Sequence, residues 1–64
     1  MTDEQLTERE REVLELRAHG LSYREIAAEL GVSIVTVKKH VERTYEKLGV
    51  HTLVDALRVV GRLT

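Results

Sequence analysis

Three helix-opening signatures and three glycine stops alternate along 64 residues, and that spacing leaves room for short helices and tight turns only. Thr7-Glu8-Arg9-Glu10 is a capping box: the Thr7 hydroxyl can accept from the amide three residues on, and Glu10 can reach back. Val13, Leu14 and Ala18 follow at helical spacing on one side, and Gly20 ends the segment. Ser22-Tyr23-Arg24-Glu25 opens a second helix, with Ile26, Ala27 and Leu30 facing inward and Gly31 as its stop. Ser33 caps a third helix that runs to about Leu48, where Gly49 ends it. At about 100° per residue, Val37, Val41, Thr44 and Leu48 share one stripe of that helix, with Ile34 and Tyr45 at its edge. Thr52-Leu53-Val54-Asp55 starts a fourth helix that lasts to about Leu63. The expected fold is all-α, four helices forming a single domain over residues 1–64.

Only Gly31 and Val32 separate Leu30 from Ser33. Two helices joined by so short a glycine-containing turn form a helix-turn-helix, or a plain αα-hairpin used for packing. Gly31 is expected to take a positive φ, and Val32 to plug the space between the two helices. The steep crossing then makes the third helix a ridge on the surface.

Composition removes several classes of function. The absence of cysteine excludes disulfides and thiolate metal sites, and His19, His40 and His51 lie too far apart for a zinc spacing. No metal and no cofactor are expected. No serine sits with a histidine at a catalytic spacing and there is no glycine-rich phosphate loop, so an enzyme is not expected either. Purely apolar runs reach two or three residues, too short for a membrane span or a signal peptide. A cytoplasmic domain whose core is Leu, Val, Ile and Ala is the expectation, since Tyr23 and Tyr45 are the only aromatic residues.

The net charge of −1 conceals an asymmetry. Residues 1–16 carry two arginines against six carboxylates, a net of −4, and residues 17–64 carry eight basic against five acidic residues, a net of +3. A local patch rather than the chain total sets an electrostatic footprint. The third helix carries Thr36, Lys39, Arg43, Glu46 and Lys47 opposite its apolar stripe, with Lys38 and Glu42 on the flank nearer Ile34. Its first amides, from Ser33 to Val35, and the hydroxyls of Ser33 and Thr36 suit a phosphate. Lys38, Lys39 and Arg43 can reach phosphates or base edges, where a lysine or arginine favours guanine. His40 can bond a phosphate or brace the turn. The candidate DNA-binding residues are Ser33, Val35, Thr36, Lys38, Lys39, His40, Glu42, Arg43 and Lys47. The competing reading of the same face is a solvated surface kept soluble by Glu42 and Glu46.

A longer ordered pattern runs through these segments. Leu6 to Leu14 (LTEREREVL), Gly20-Leu21-Ser22, Glu25-Ile26-Ala27, Leu30-Gly31-Val32-Ser33, Thr36 to Val41 (TVKKHV) and Lys47-Leu48-Gly49-Val50 together resemble the DNA-binding domain of the LuxR family of bacterial transcription regulators. The resemblance covers Leu6 to about Leu63, and its most specific element is Thr-Val-Lys-x-His followed by Lys-Leu-Gly-Val. It implies that helix three is the recognition helix, entering the major groove, and that helix four is the dimerisation helix. It also implies that Lys38 and Lys39 contact bases, with Ser33, Thr36 and His40 near the backbone. Three positions depart from the family pattern. Glu42 stands where a basic or small polar residue is frequent, and can accept from a cytosine amino group. Leu53 stands where many members carry arginine, and Arg17 where an apolar residue is usual; Arg17 is expected to turn its guanidinium outward over Leu14 and Leu21. Arg17, Leu21, Ser22 and Tyr23 also look like region 4 of sigma factors, a related promoter-reading helix-turn-helix.

On the fourth helix Leu53, Ala56, Leu57, Val60 and Leu63 share a face flanked by Val54 and Val59, an apolar arc of about 220°, wider than one packed face needs. Val54, Leu57, Arg58, Val60 and Gly61 are the candidate dimerisation residues, and twofold pairing would set two recognition helices on inverted half-sites. The expected function is sequence-specific binding of double-stranded DNA as a homodimer, in transcription regulation. The alternative is a sigma-factor region-4-like promoter or RNA polymerase-binding module, or a small adaptor that docks on RNA polymerase. No small-molecule ligand is evident, and Met1 lying close to the first helix suits both a chain acting alone and the C-terminal part of a longer regulator.

Overall fold

The computed structural model describes residues 6–63, and the side chains of residues 6–61. Four helices follow one another: α1 (Glu8–Ala18), α2 (Tyr23–Leu30), α3 (Ile34–Leu48) and α4 (Leu53–Leu63), with no strand among the described residues. Each begins where its cap lies in the sequence. The Thr7 Oγ1 accepts from the Glu10 amide at 3.1 Å, and Glu10 Oε1 accepts from the Thr7 amide at 2.9 Å. Ser22 and Glu25 reproduce the same box at 3.1 and 2.8 Å. The two bonds from Ser22 hold the Glu25 carboxyl below the ordinary carboxylate range. Thr52 makes only half of such a box: its hydroxyl accepts from the Asp55 amide at 3.1 Å, and the Asp55 carboxylate lies 3.7 Å from Arg58 instead.

Two apolar clusters hold the helices together. Val13, Ile26, Ala27, Val37 and Val41 join α1, α2 and α3; Leu6, Leu14, Leu48 and Ala56 join α1 and α3 to α4. Each such side chain, fully buried, is worth roughly 1.5–3 kcal/mol against leaving it in water. The α3 stripe is buried as the spacing predicts, Val37, Val41, Thr44 and Leu48 all facing the core. Thr44 meets its burial cost by donating to the His40 carbonyl at 2.7 Å. Ala18 departs from expectation: it lies exposed at the frayed end of α1, where the chain already turns toward Gly20. The side chain of Leu63 lies outside the described residues.

The α2–α3 connection fixes the direction of α3. Gly31 adopts φ +68°, a left-handed conformation that a Cβ makes costly, and the Val32 amide donates back to the Ala27 carbonyl at 3.0 Å. Val32 packs half-buried against the three-helix core. Arg17 does not turn its guanidinium outward. Its Nη1 donates to the Leu21 carbonyl at 2.7 Å and its guanidinium carbon stands 5.1 Å from the centre of the Tyr23 ring. A planar cation satisfies a turn carbonyl and an aromatic face at once, which an outward pose would forgo. The arginine so ties the α1–α2 turn to the start of α2.

Candidate nucleic-acid interface

The exposed side of α3 is built by the same periodicity that builds its buried stripe. Val37 and Val41 face the core, so Val35, Lys38, Lys39, Glu42, Arg43 and Glu46 emerge on the opposite side, all exposed. Among the described residues, no ion pair or side-chain hydrogen bond engages Lys38, Lys39 or Arg43, so their charges face solvent. Thr36, His40 and Lys47 lie half-buried along one edge of the ridge.

The N-terminal end of α3 differs from the other three helices. Acidic side chains occupy the first turns of α1, α2 and α4, and none occupies that of α3. Its positive dipole end is therefore not offset by a carboxylate of its own. Ser33 Oγ accepts from the Thr36 amide at 3.1 Å and lies 2.9 Å from Thr36 Oγ1. Only one hydroxyl hydrogen is used between the two, so the other stays available to an outside acceptor.

Lys47 is placed differently from the other cations. Its ammonium donates to Glu10 Oε1 at 2.7 Å, and its side chain keeps 34% of its surface exposed while that of Glu10 keeps 3%. Burial pushes the Glu10 carboxyl up, yet the Lys47 and Thr7 hydrogen bonds and the lysine's charge outweigh it and hold the group below its usual value of 4.5. This pair, which ties the start of α1 to the end of α3, is absent from the sequence-level account, where Glu10 serves only the cap. The available signal was the stripe itself: Glu10 precedes Val13 and Leu14 by three and four residues and so shares their inward face.

The surface of α4 carries a second unpartnered sector. Ala56 is fully buried, and Leu53, Leu57, Val59 and Val60 pack half-buried over the α1–α3–α4 cluster. Val54 remains 58% exposed, Arg58 is exposed with its guanidinium 3.7 Å from Asp55, and a Cβ on Gly61 would meet nothing within 4 Å. Four of the five candidate pairing residues, Val54, Leu57, Arg58 and Gly61, thus recur at helical spacing along one side, with Val60 nearer the core.

Among the described residues no group of three or more His, Asp or Glu side chains could hold a metal ion, and no helix is long and apolar enough to cross a membrane. A shallow groove of about 270 Å³ between the C-terminal ends of α1 and α2 is lined by Glu12, Glu15, Leu16, His19, Glu29 and Leu30, an acidic surface unsuited to a nucleic acid.

Comparison with known proteins places this geometry among relatives. The model of the luxR family of bacterial regulatory proteins (GerE) matches residues 4–60. The transcriptional regulatory protein UhpA of Escherichia coli is 51% identical over 53 residues, covering 83% of this chain and 27% of its own length. The probable transcriptional regulatory protein NarL of Mycobacterium tuberculosis is 62% identical over 45 residues, covering 70% of this chain and 21% of its own. The chain therefore spans about a quarter of the length of these relatives. Among solved structures, the response regulator ChrA of a heme-sensing two-component system superposes with a TM-score of 0.82 at 41% identity, over 92% of this chain and 30% of ChrA.

Proposed function

The chain belongs to the luxR family of bacterial regulatory proteins and is a helix-turn-helix DNA-binding domain of a transcription regulator, and from that premise we propose that it reads double-stranded DNA through the outward face of α3. The observation that carries this reading is the row of unengaged cations, Lys38, Lys39 and Arg43, on a helix whose other side is locked in the core. The first turn of α3 docks on a phosphate through the amides and hydroxyls of Ser33 and Thr36, with His40 at the same edge. Lys38 and Lys39 reach base edges, Arg43 meets the backbone, and Glu42 tunes sequence choice by accepting from a cytosine amino group. Lys47 adds to the flank through its exposed portion alone, because Glu10 offsets its charge.

Two copies bind together, paired along α4 through Val54, Leu57, Arg58, Val60 and Gly61, so that two α3 ridges meet inverted half-sites. Open space around Gly61 permits close helix approach, and the exposed Val54 gains an apolar neighbour. The acidic groove between α1 and α2 is then left for a basic protein surface, such as one on RNA polymerase.

Selection from random duplex DNA tests the reading as a whole. An enriched sequence with twofold symmetry supports it, and failure to enrich any sequence contradicts it. Val54→Glu tests the pairing separately. The position is exposed and lies in the first turn of α4, where a carboxylate is favoured, so stability should change by less than about 0.5 kcal/mol. Sedimentation of the complex should shift from two chains per duplex to one; a wild-type complex that is already one to one would contradict pairing.

A further inference from the structure

Two large apolar side chains stand exposed among the described residues, Val35 at 62% and Val54 at 58%. Val54 lies on the sector of α4 assigned above to a second copy. Val35 lies in the first turn of α3, three and four residues before Lys38 and Lys39, and so on the same side of the helix as both. Nothing in its own domain explains the choice. A β-branched residue is not a strong helix former, and this one packs against neither apolar cluster.

We propose that Val35 is a specificity-determining residue that reads the 5-methyl group of a thymine, an assignment that rests on the DNA-binding reading of α3. The argument is one of matching chemistry. Base edges in the major groove present hydrogen-bond donors and acceptors, and the thymine methyl is the one apolar group among the four bases. Residues at the N-terminal end of a recognition helix are the ones that meet base edges. An isopropyl group held there, beside two lysines that suit guanine, finds water displaced only where a methyl faces it. Elsewhere on the duplex it covers polar edges and gains nothing. Each half-site thus includes a thymine next to the positions that Lys38 and Lys39 contact. The side chain's neighbours fit that placing: the Ser33 and Thr36 hydroxyls hold the helix end at the backbone, which fixes how deep Val35 sits.

The test replaces thymidine by deoxyuridine, one position at a time, in a duplex selected by the wild-type chain. This removes a methyl group and leaves every hydrogen bond of the base pair. Wild-type affinity should fall about fourfold at one thymine per half-site, the equivalent of one methyl group withdrawn from contact. Val35→Ala should bind the thymine duplex with a similar loss and show no further loss with deoxyuridine at that position, the coupling expected of two groups in contact. Thermal melting of Val35→Ala checks that the fold is retained, as its exposure requires. Equal sensitivity of wild type and Val35→Ala to deoxyuridine overturns the assignment, as does indifference of the wild type at every thymine. Either result leaves DNA binding by α3 standing. Failure of the wild type to bind any duplex overturns both.

Discussion

Lys38→Ala combined with Lys39→Ala lowers affinity for the selected duplex by about a hundredfold or more and leaves the melting temperature nearly unchanged. Two base contacts at roughly 1–3 kcal/mol each account for the loss. Both side chains are exposed and engage nothing in their own domain, so removing them costs the fold less than about 0.5 kcal/mol per residue. Titration of labelled duplex by fluorescence anisotropy, beside a circular-dichroism melt, separates the two effects. Arg43→Ala provides the contrast: it should weaken binding to all sequences alike and reduce the log–log salt slope by about 0.9, the signature of one lost phosphate contact. Retention of wild-type affinity by the double variant would remove α3 from the interface.

The second large effect concerns stability. Lys47→Met leaves the Glu10 carboxylate buried with only the Thr7 amide as a partner. Removing one member of a buried pair costs 3–5 kcal/mol, and the one-third exposure of Lys47 reduces that to about 2–3 kcal/mol. In a domain of this size such a loss lowers the melting temperature by about 10–15 °C. Glu10→Gln is milder, because an amide oxygen still accepts from both Thr7 and Lys47. The pair also sets a pH dependence. The Glu10 pKa is lower in the folded chain than in the unfolded one, so its contribution is present above the usual carboxylate value of 4.5 and is lost as pH falls through the folded value. Wild type should therefore lose stability below about pH 4.5 more steeply than Glu10→Gln, which has no proton to take up there. Parallel acid melts of the two chains would contradict this account of the pair.

The sequence carried the local structure in full and the long-range polar contacts hardly at all. Caps and glycine stops lie where the helices begin and end because each is a contract between residues three to five apart. The buried stripe of α3 followed from periodicity for the same reason. Glu10 and Lys47 are 37 residues apart, and nothing local joins them. A carboxylate inside the capping box reads as solvent-facing until the packing of α1 on α3 covers it. Arg17 was misjudged for a related reason: its partners, the Leu21 carbonyl and the Tyr23 ring, come together only when the α1–α2 turn closes. The exposed ridge was legible as the complement of the buried stripe, but which cations would stay unengaged was not. Four were expected on that face, and the fold commits one, Lys47, to its own framework.

The decisive measurement is a nuclear magnetic resonance titration of the isotope-labelled chain with the selected duplex, read for contacts between protein side chains and major-groove protons. Contacts from Val35, Lys38 and Lys39 to base protons, with Glu12, Glu15 and Glu29 unperturbed, are the predicted result. Base contacts arising from α1 or α2, with the signals of Lys38 and Lys39 unmoved, would contradict it.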